Sequence, residues 1–123
     1  MTDRWTVGDA TITAVVESEV PGIPPELFFP DATAPAVAAH DWVVPTWAAE
    51  DGTIAFRVQA VVVEVGSRTV LVDPCVGDGR DRALPFWHQQ AWGGYERLLD
   101  VIDASAVDTV VHTHLHADHV GWD

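Results

Sequence analysis

The residues best equipped for chemistry lie close together near one end of the chain, in the run His112-Thr113-His114-Leu115-His116-Ala117-Asp118-His119. Four of the six histidines fall within this stretch. His114 and His116 are two apart, so on an extended segment both imidazoles leave the same face. Neutral imidazole nitrogens side by side suit zinc, iron and related divalent cations. Asp118 and His119 follow after one spacer, where the chain is expected to turn towards a helix. Their side chains are then aimed at a second position beside the first. Two cations about 3.5–4 Å apart form a known hydrolytic arrangement that clamps the attacking and the leaving oxygen. Without a metal, so many titratable groups at a strand end would leave polar atoms short of partners. The H-x-H-x-D-H spacing therefore reads as a metal site. His112 falls outside the ligand set, as a packing residue or one that supports a ligand from behind. His40 and His88 are isolated and read as structural. Cys75 has no identifiable partner and reads as a buried or loop thiol, not a nucleophile.

The elements that must hold this cluster follow from pattern. Asp108–Val111 runs straight into it and is expected to be a short buried strand. Tyr95–Ile102, after Gly93-Gly94, sets Leu98, Leu99 and Ile102 on one face at helical spacing. Phe56–Val65 is rich in β-branched residues, and Ala60-Val61-Val62-Val63 is apolar on both faces, as in a strand covered from both sides. Gly66-Ser67 predicts a two-residue hairpin turn with Arg68–Val72 as the returning strand. That strand ends at Asp73-Pro74, where the chain must leave the sheet, and Gly77 and Gly79 keep the next segment a loop. Trp5–Glu19 alternates loosely and predicts one or two half-buried strands with a turn at Gly8-Asp9. From Val20 to Pro45 come Pro21, Pro24, Pro25, Pro30, Pro35 and Pro45, which predict loop with short helices at most. Leu27, Phe28, Phe29 and Trp42 in that stretch either pack over the core or wall a pocket.

Length and charge bound the rest. With 123 residues the chain is expected to be one domain, 1–123. Six arginines and no lysine face 19 carboxylates, a formal net charge of −13. Such an envelope repels nucleic-acid backbones and anionic membrane surfaces alike. No apolar run is long enough to span a bilayer. Met1-Thr2-Asp3-Arg4 lacks the basic and apolar regions of a signal peptide, so the expected location is cytoplasmic. A single cysteine excludes an internal disulfide and a multi-cysteine zinc site.

Thr113-His114-Leu115-His116-Ala117-Asp118-His119-Val120-Gly121 resembles the signature of the metallo-β-lactamase superfamily, metal-dependent hydrolases with a four-layer αβ/βα fold. Val70-Leu71-Val72-Asp73 resembles the family's second hairpin strand, which ends in an aspartate near the metals. Trp92-Gly93-Gly94-Tyr95-Glu96-Arg97-Leu98-Leu99, followed by Val107-Asp108-Thr109-Val110, resembles the helix and strand leading into the signature. The resemblance covers Thr53 to Gly121 well and the preceding residues loosely. The loop-rich start and the tryptophans look most like the branch of lactonases and organophosphate-ester hydrolases. It implies an α/β (α+β) class, the N-terminal half of the four-layer sandwich, a mixed sheet with flanking helices.

The same resemblance places His114 and His116 on a first metal and Asp118 and His119 on a second. Zinc, two ions per complete site, is the implied cofactor, although iron and manganese suit the same donors. A hydroxide bridging the metals would attack an ester, lactone or related bond of a small molecule, with Asp118 orienting it and taking a proton. Asp73 either supports a ligand from behind or serves only as the turn residue before Pro74. The family's remaining ligands would lie downstream of Asp123. The expectation is thus an N-terminal part of a longer enzyme, inactive alone, whose open sheet is covered by a C-terminal half or by another copy. The alternative is a non-catalytic module holding one structural cation.

Overall fold

Gly8, at φ 59°, turns the chain back between its first two strands. Here β1 (Thr2–Val7) pairs antiparallel with β2 (Ala10–Ile23), Val7 opposite Ala10. The computed structural model describes residues 2–122. In β2 the run Thr13–Glu17 is buried without interruption, so both faces of that strand are covered. β3 (Ile54–Val65) and β4 (Arg68–Val72) form the expected hairpin, with Val65 opposite Arg68 across Gly66-Ser67. β5 (Thr109–Val111) then joins β4 in parallel, Leu71 opposite Val110, to complete a mixed sheet of order β1-β2-β3-β4-β5.

The chain divides into two compact units, Met1–Ser18 with Val58–Asp123, and Glu19–Arg57. In the first, the core comprises Ala14, Val15 and Val16 of β2, Val58, Ala60 and Val62 of β3, Leu71 of β4, and Cys75 and Val76 beyond it. The connection from β4 to β5 contains one of the two short α-helices among the described residues. The other, α1 (Ala34–Ala38), belongs to the second unit, and α2 (Gly94–Leu99) contributes Leu98 to the core. Arg97 fastens α2 to β2, Nε donating to the Val16 carbonyl at 2.8 Å and a terminal nitrogen to that of Glu17 at 2.6 Å.

The second unit is organised locally. Thr33 caps α1, and Glu26 accepts a hydrogen bond from the Ala34 N–H at 3.0 Å. Phe28 stacks on Phe56 with centroids 5.3 Å apart, and Arg57 pairs with Glu19 at 2.8 Å. Gly52 lies against the Ala34 carbonyl, where a Cβ would come within 1.9 Å of the oxygen.

Four expectations are corrected. The strand after α2 is Thr109–Val111 and is exposed throughout, with Val110 at 40% and Val111 at 41%. β5 is the outermost strand, and among the described residues neither of its faces is covered. β2 runs past Val20 to Ile23, through Pro21 and Gly22, before the proline-rich segment breaks into short turns. Leu98 and Ile102, four apart, are buried, whereas Leu99 is 47% exposed because one step along a helix rotates a side chain off the shared face. Finally, β3 is fully covered on one face only, since Val61 and Val63 are half-buried between Ala60 and Val62. Leu27, Phe28, Phe29 and Trp42 are all exposed. No helix among the described residues is long and apolar enough to cross a membrane.

Candidate metal centre

β4 and β5 are parallel neighbours, so their C-terminal ends lie side by side and release two loops at the same edge of the sheet. In open α/β sheets this is where ligands bind. The loop after β4 begins at Asp73, whose φ of 50° turns the chain sharply, and its N–H donates to the Val111 carbonyl at 2.9 Å. The loop after β5 is the histidine-rich run.

Asp73 holds both ends of that run. One carboxylate oxygen accepts from the Thr113 N–H and the other from the Thr113 hydroxyl, each at 2.7 Å. The second oxygen also lies 3.0 Å from His119 Nδ1. That nitrogen is buried, and the Asp73 carboxylate is the polar group facing it. Burial works to raise the Asp73 pKa, but the Thr113 hydrogen bonds and His119 outweigh it and hold the carboxyl below its ordinary value. Asp73 is therefore far more than the turn residue before Pro74.

These contacts decide which imidazole nitrogens keep a lone pair. The Thr113 hydroxyl has one proton, which goes to Asp73, an acceptor only. At 3.0 Å it must then accept from His114 Nδ1, leaving Nε2 of His114 with the lone pair. His112 Nδ1 meets the His119 carbonyl at 2.8 Å, so it carries the proton and ties the start of the run to its end. His114 stands between two other rings, 4.6 Å from His116 and 3.9 Å from His119 by centroid. His116 precedes a single 3-10 turn, Ala117–His119, which brings Asp118 and His119 round. His114 and His116 are exposed, whereas Asp118 and His119 are recessed.

A carboxylate beside an imidazole is a pair of donor types that suits a divalent cation. His119 Nε2 lies 3.3 Å from an oxygen of Asp118. With the His119 proton on Nδ1, facing Asp73, Nε2 keeps a lone pair beside the Asp118 carboxylate, a pairing that a cation or a proton between them would satisfy. Two donors about 2.0–2.2 Å from one zinc at a tetrahedral angle are separated by about 3.3 Å. Among the described residues, no group of three or more such side chains is gathered around a common point. The chain offers donors in pairs, not a closed cage.

Sequence reading missed Glu17. This β2 carboxylate is only 3% exposed. One oxygen accepts from the Val76 N–H at 2.9 Å, and the other from the Gly77 N–H at 3.0 Å and Trp122 Nε1 at 3.1 Å. Burial raises its pKa despite these three donors. The signal was slight, a carboxylate directly after the apolar run Ala14-Val15-Val16. The exit of the histidine run is clasped again by the Pro74 carbonyl, which accepts from Gly121 and Trp122 N–H, both at 2.9 Å. Cys75 is wholly buried, and burial together with the Glu17 charge pushes its thiol pKa far up, which leaves it no nucleophile. A shallow pocket beside this exit is lined by Asp78, Arg80, Tyr95, Glu96, Gly121 and Trp122.

Residues 53–122 match the Lactamase_B model of the Metallo-beta-lactamase superfamily. The chain belongs to this superfamily. Solved structures of such hydrolases share its fold. AidC, a dizinc quorum-quenching lactonase, superposes with a TM-score of 0.68 at 15% identity, covering 98% of this chain and 38% of that one. The hydrolase AbOPH of the beta lactamase superfamily gives 0.63 at 21% identity, covering 97% and 38%. A probable metal-dependent hydrolase from Staphylococcus aureus gives 0.65 at 17% identity, covering 94% and 41%. The chain thus spans well under half the length of each. A search of curated proteins found no match. The mixed sheet agrees with the N-terminal part of the superfamily fold, as expected from the sequence.

Proposed function

We propose that the chain supplies the first part of the active site of a metal-dependent hydrolase acting on an ester, lactone or related bond of a small molecule. The observation that carries this reading is the approach of His119 Nε2 to the Asp118 carboxylate at 3.3 Å, braced on Asp73 in a chain of this superfamily. His114 and His116 would hold one cation and Asp118 and His119 a second. Two bound zinc ions would supply Lewis-acid polarisation of the scissile group and lower the pKa of water towards neutrality. Zinc is preferred over iron or manganese because a structural neighbour is a dizinc lactonase.

The chain's own residues do the rest. Asp73, through Thr113, keeps the His114 proton on Nδ1 and turns the basic Nε2 outward. Asp118 is the carboxylate placed to orient an attacking water and to receive a proton. The recessed Asp118 and His119 and the exposed His114 and His116 leave the open side to the substrate. A net charge of −13 opposes a polyanionic substrate. We further propose that the remaining ligands come from polypeptide covering the β5 side, a C-terminal half or a second copy, that the chain alone is inactive, and that it resides in the cytoplasm.

Elemental analysis of metal content tests this reading, run on the 123-residue chain, the complete reading frame and its H116A variant. The expected result is about two metals in the complete protein and less than one in the short chain. H116A should lose metal and about 100-fold or more in hydrolysis while keeping its fold. One tightly held metal in both forms, with no hydrolysis, would favour a single structural cation and end the hydrolase reading.

A further inference from the structure

Glu17 lies on β2, remote in sequence from the histidine run, yet it is the common acceptor for two loops. Val76 and Gly77 belong to the loop that begins with Asp73, and Trp122 lies just beyond His119. The two loops also touch each other closely. A Cβ on Gly121 would lie 2.1 Å from the Val76 carbonyl carbon, and the Pro74 carbonyl accepts from Gly121 and Trp122. Gly94 at the start of α2 completes the junction, since a Cβ there would come within 2.7 Å of both Glu17 and Trp122. The histidine run is therefore gripped at its start by Asp73 and at its exit by Pro74, and the segment bearing both grips is anchored on Glu17.

We infer that Glu17 is a positioning residue for the metal-ligand loop, fixing the separation between Asp73 and the Asp118–His119 turn without touching metal or substrate. This rests on the hydrolase reading of the site. A carboxylate is a poor choice if stability alone were served, because desolvating its charge opposes folding. What a carboxylate offers is two oxygens able to accept three N–H donors from separate segments at once. An amide in its place presents one oxygen and turns an NH2 group towards a backbone N–H.

The test uses the full 123-residue chain and its E17Q variant, with two readouts. The first is the 1H–15N spectrum and amide exchange of Val76, Gly77 and residues 113–122, with the Trp122 indole N–H. The second is zinc affinity by competition with a chelator. E17Q is expected to fold, to shift the Trp122 indole signal, to speed exchange across 113–122, and to weaken zinc binding by about tenfold. A folded E17Q with unchanged exchange and unchanged zinc affinity overturns the proposal. Should E17Q fail to fold, W122F decides alone, since it removes one donor and leaves Glu17 in place. It should shift the signals of 118–121 and weaken zinc about threefold, a smaller loss than for groups bonded directly to ligands, and unchanged values overturn the proposal. H116A separates the two ideas, because zinc binding equal in H116A and wild type removes the metal reading while the spectra still report on Glu17.

Discussion

At the residue scale, Glu17 carries a pH signature opposite to that of a salt-bridged carboxylate. Burial raises its pKa above the ordinary 4.5, against the pull of Val76, Gly77 and Trp122, with Asp78 nearby adding in the same direction as burial. The native state therefore binds this proton more tightly than the unfolded chain does. The resulting stabilisation is fully present below the unfolded pKa and is lost as pH rises through the folded one. Urea unfolding of wild type and E17Q between about pH 4 and 7 should show the wild-type advantage shrinking as pH rises. An advantage that grows with pH would mean that the three donors outweigh desolvation. Asp73 shows the reverse balance, because its hydrogen bonds to Thr113 and its contact with His119 overcome burial.

At the scale of elements, the site depends on a backbone-to-backbone seam between the loops that leave β4 and β5. Gly121 is the tightest point, its missing Cβ directed at Val76 and the Gly77 nitrogen 2.3 Å away. Main-chain atoms cannot swing aside as a side-chain end can. Gly121→Ala should destabilise by about 1–3 kcal/mol, the usual range for overpacking, and lower the melting temperature accordingly. An unchanged thermal melt would show that the seam can open without cost. Elements with local determinants matched their sequence reading closely. Gly66-Ser67 set the β3–β4 register because a two-residue turn leaves one pairing, and Gly8-Asp9 acted likewise for β1 and β2.

At the scale of the whole molecule, apolar surface remains exposed on an acidic chain. β5 ends the sheet with Val110 and Val111 exposed, and Leu115 beyond it is 79% exposed. Unpaired edges of this kind recruit other strands, and lysine on an edge strand is a natural block. Sedimentation velocity of the 123-residue chain should reveal concentration-dependent association, with V110K shifting the population towards monomer. A wild-type chain that stays monomeric at high concentration and melts in one cooperative step would remove the need for covering polypeptide on the β5 side.

The sequence by itself determined both hairpins and superfamily membership, and it proposed the ligand run His114, His116, Asp118 and His119, because each rests on spacing or turn chemistry within a few residues. It reached Asp73 only as one of two readings, and it did not reach Glu17. Tertiary structure decided those two, since the partners of Asp73 are 40 residues along the chain and those of Glu17 are 59, 60 and 105 away. The same holds for β5, whose valines read as buried from their composition and are exposed because little packs over its faces. Burial is a property of what lies alongside a segment, and local pattern carries no record of its neighbours in space.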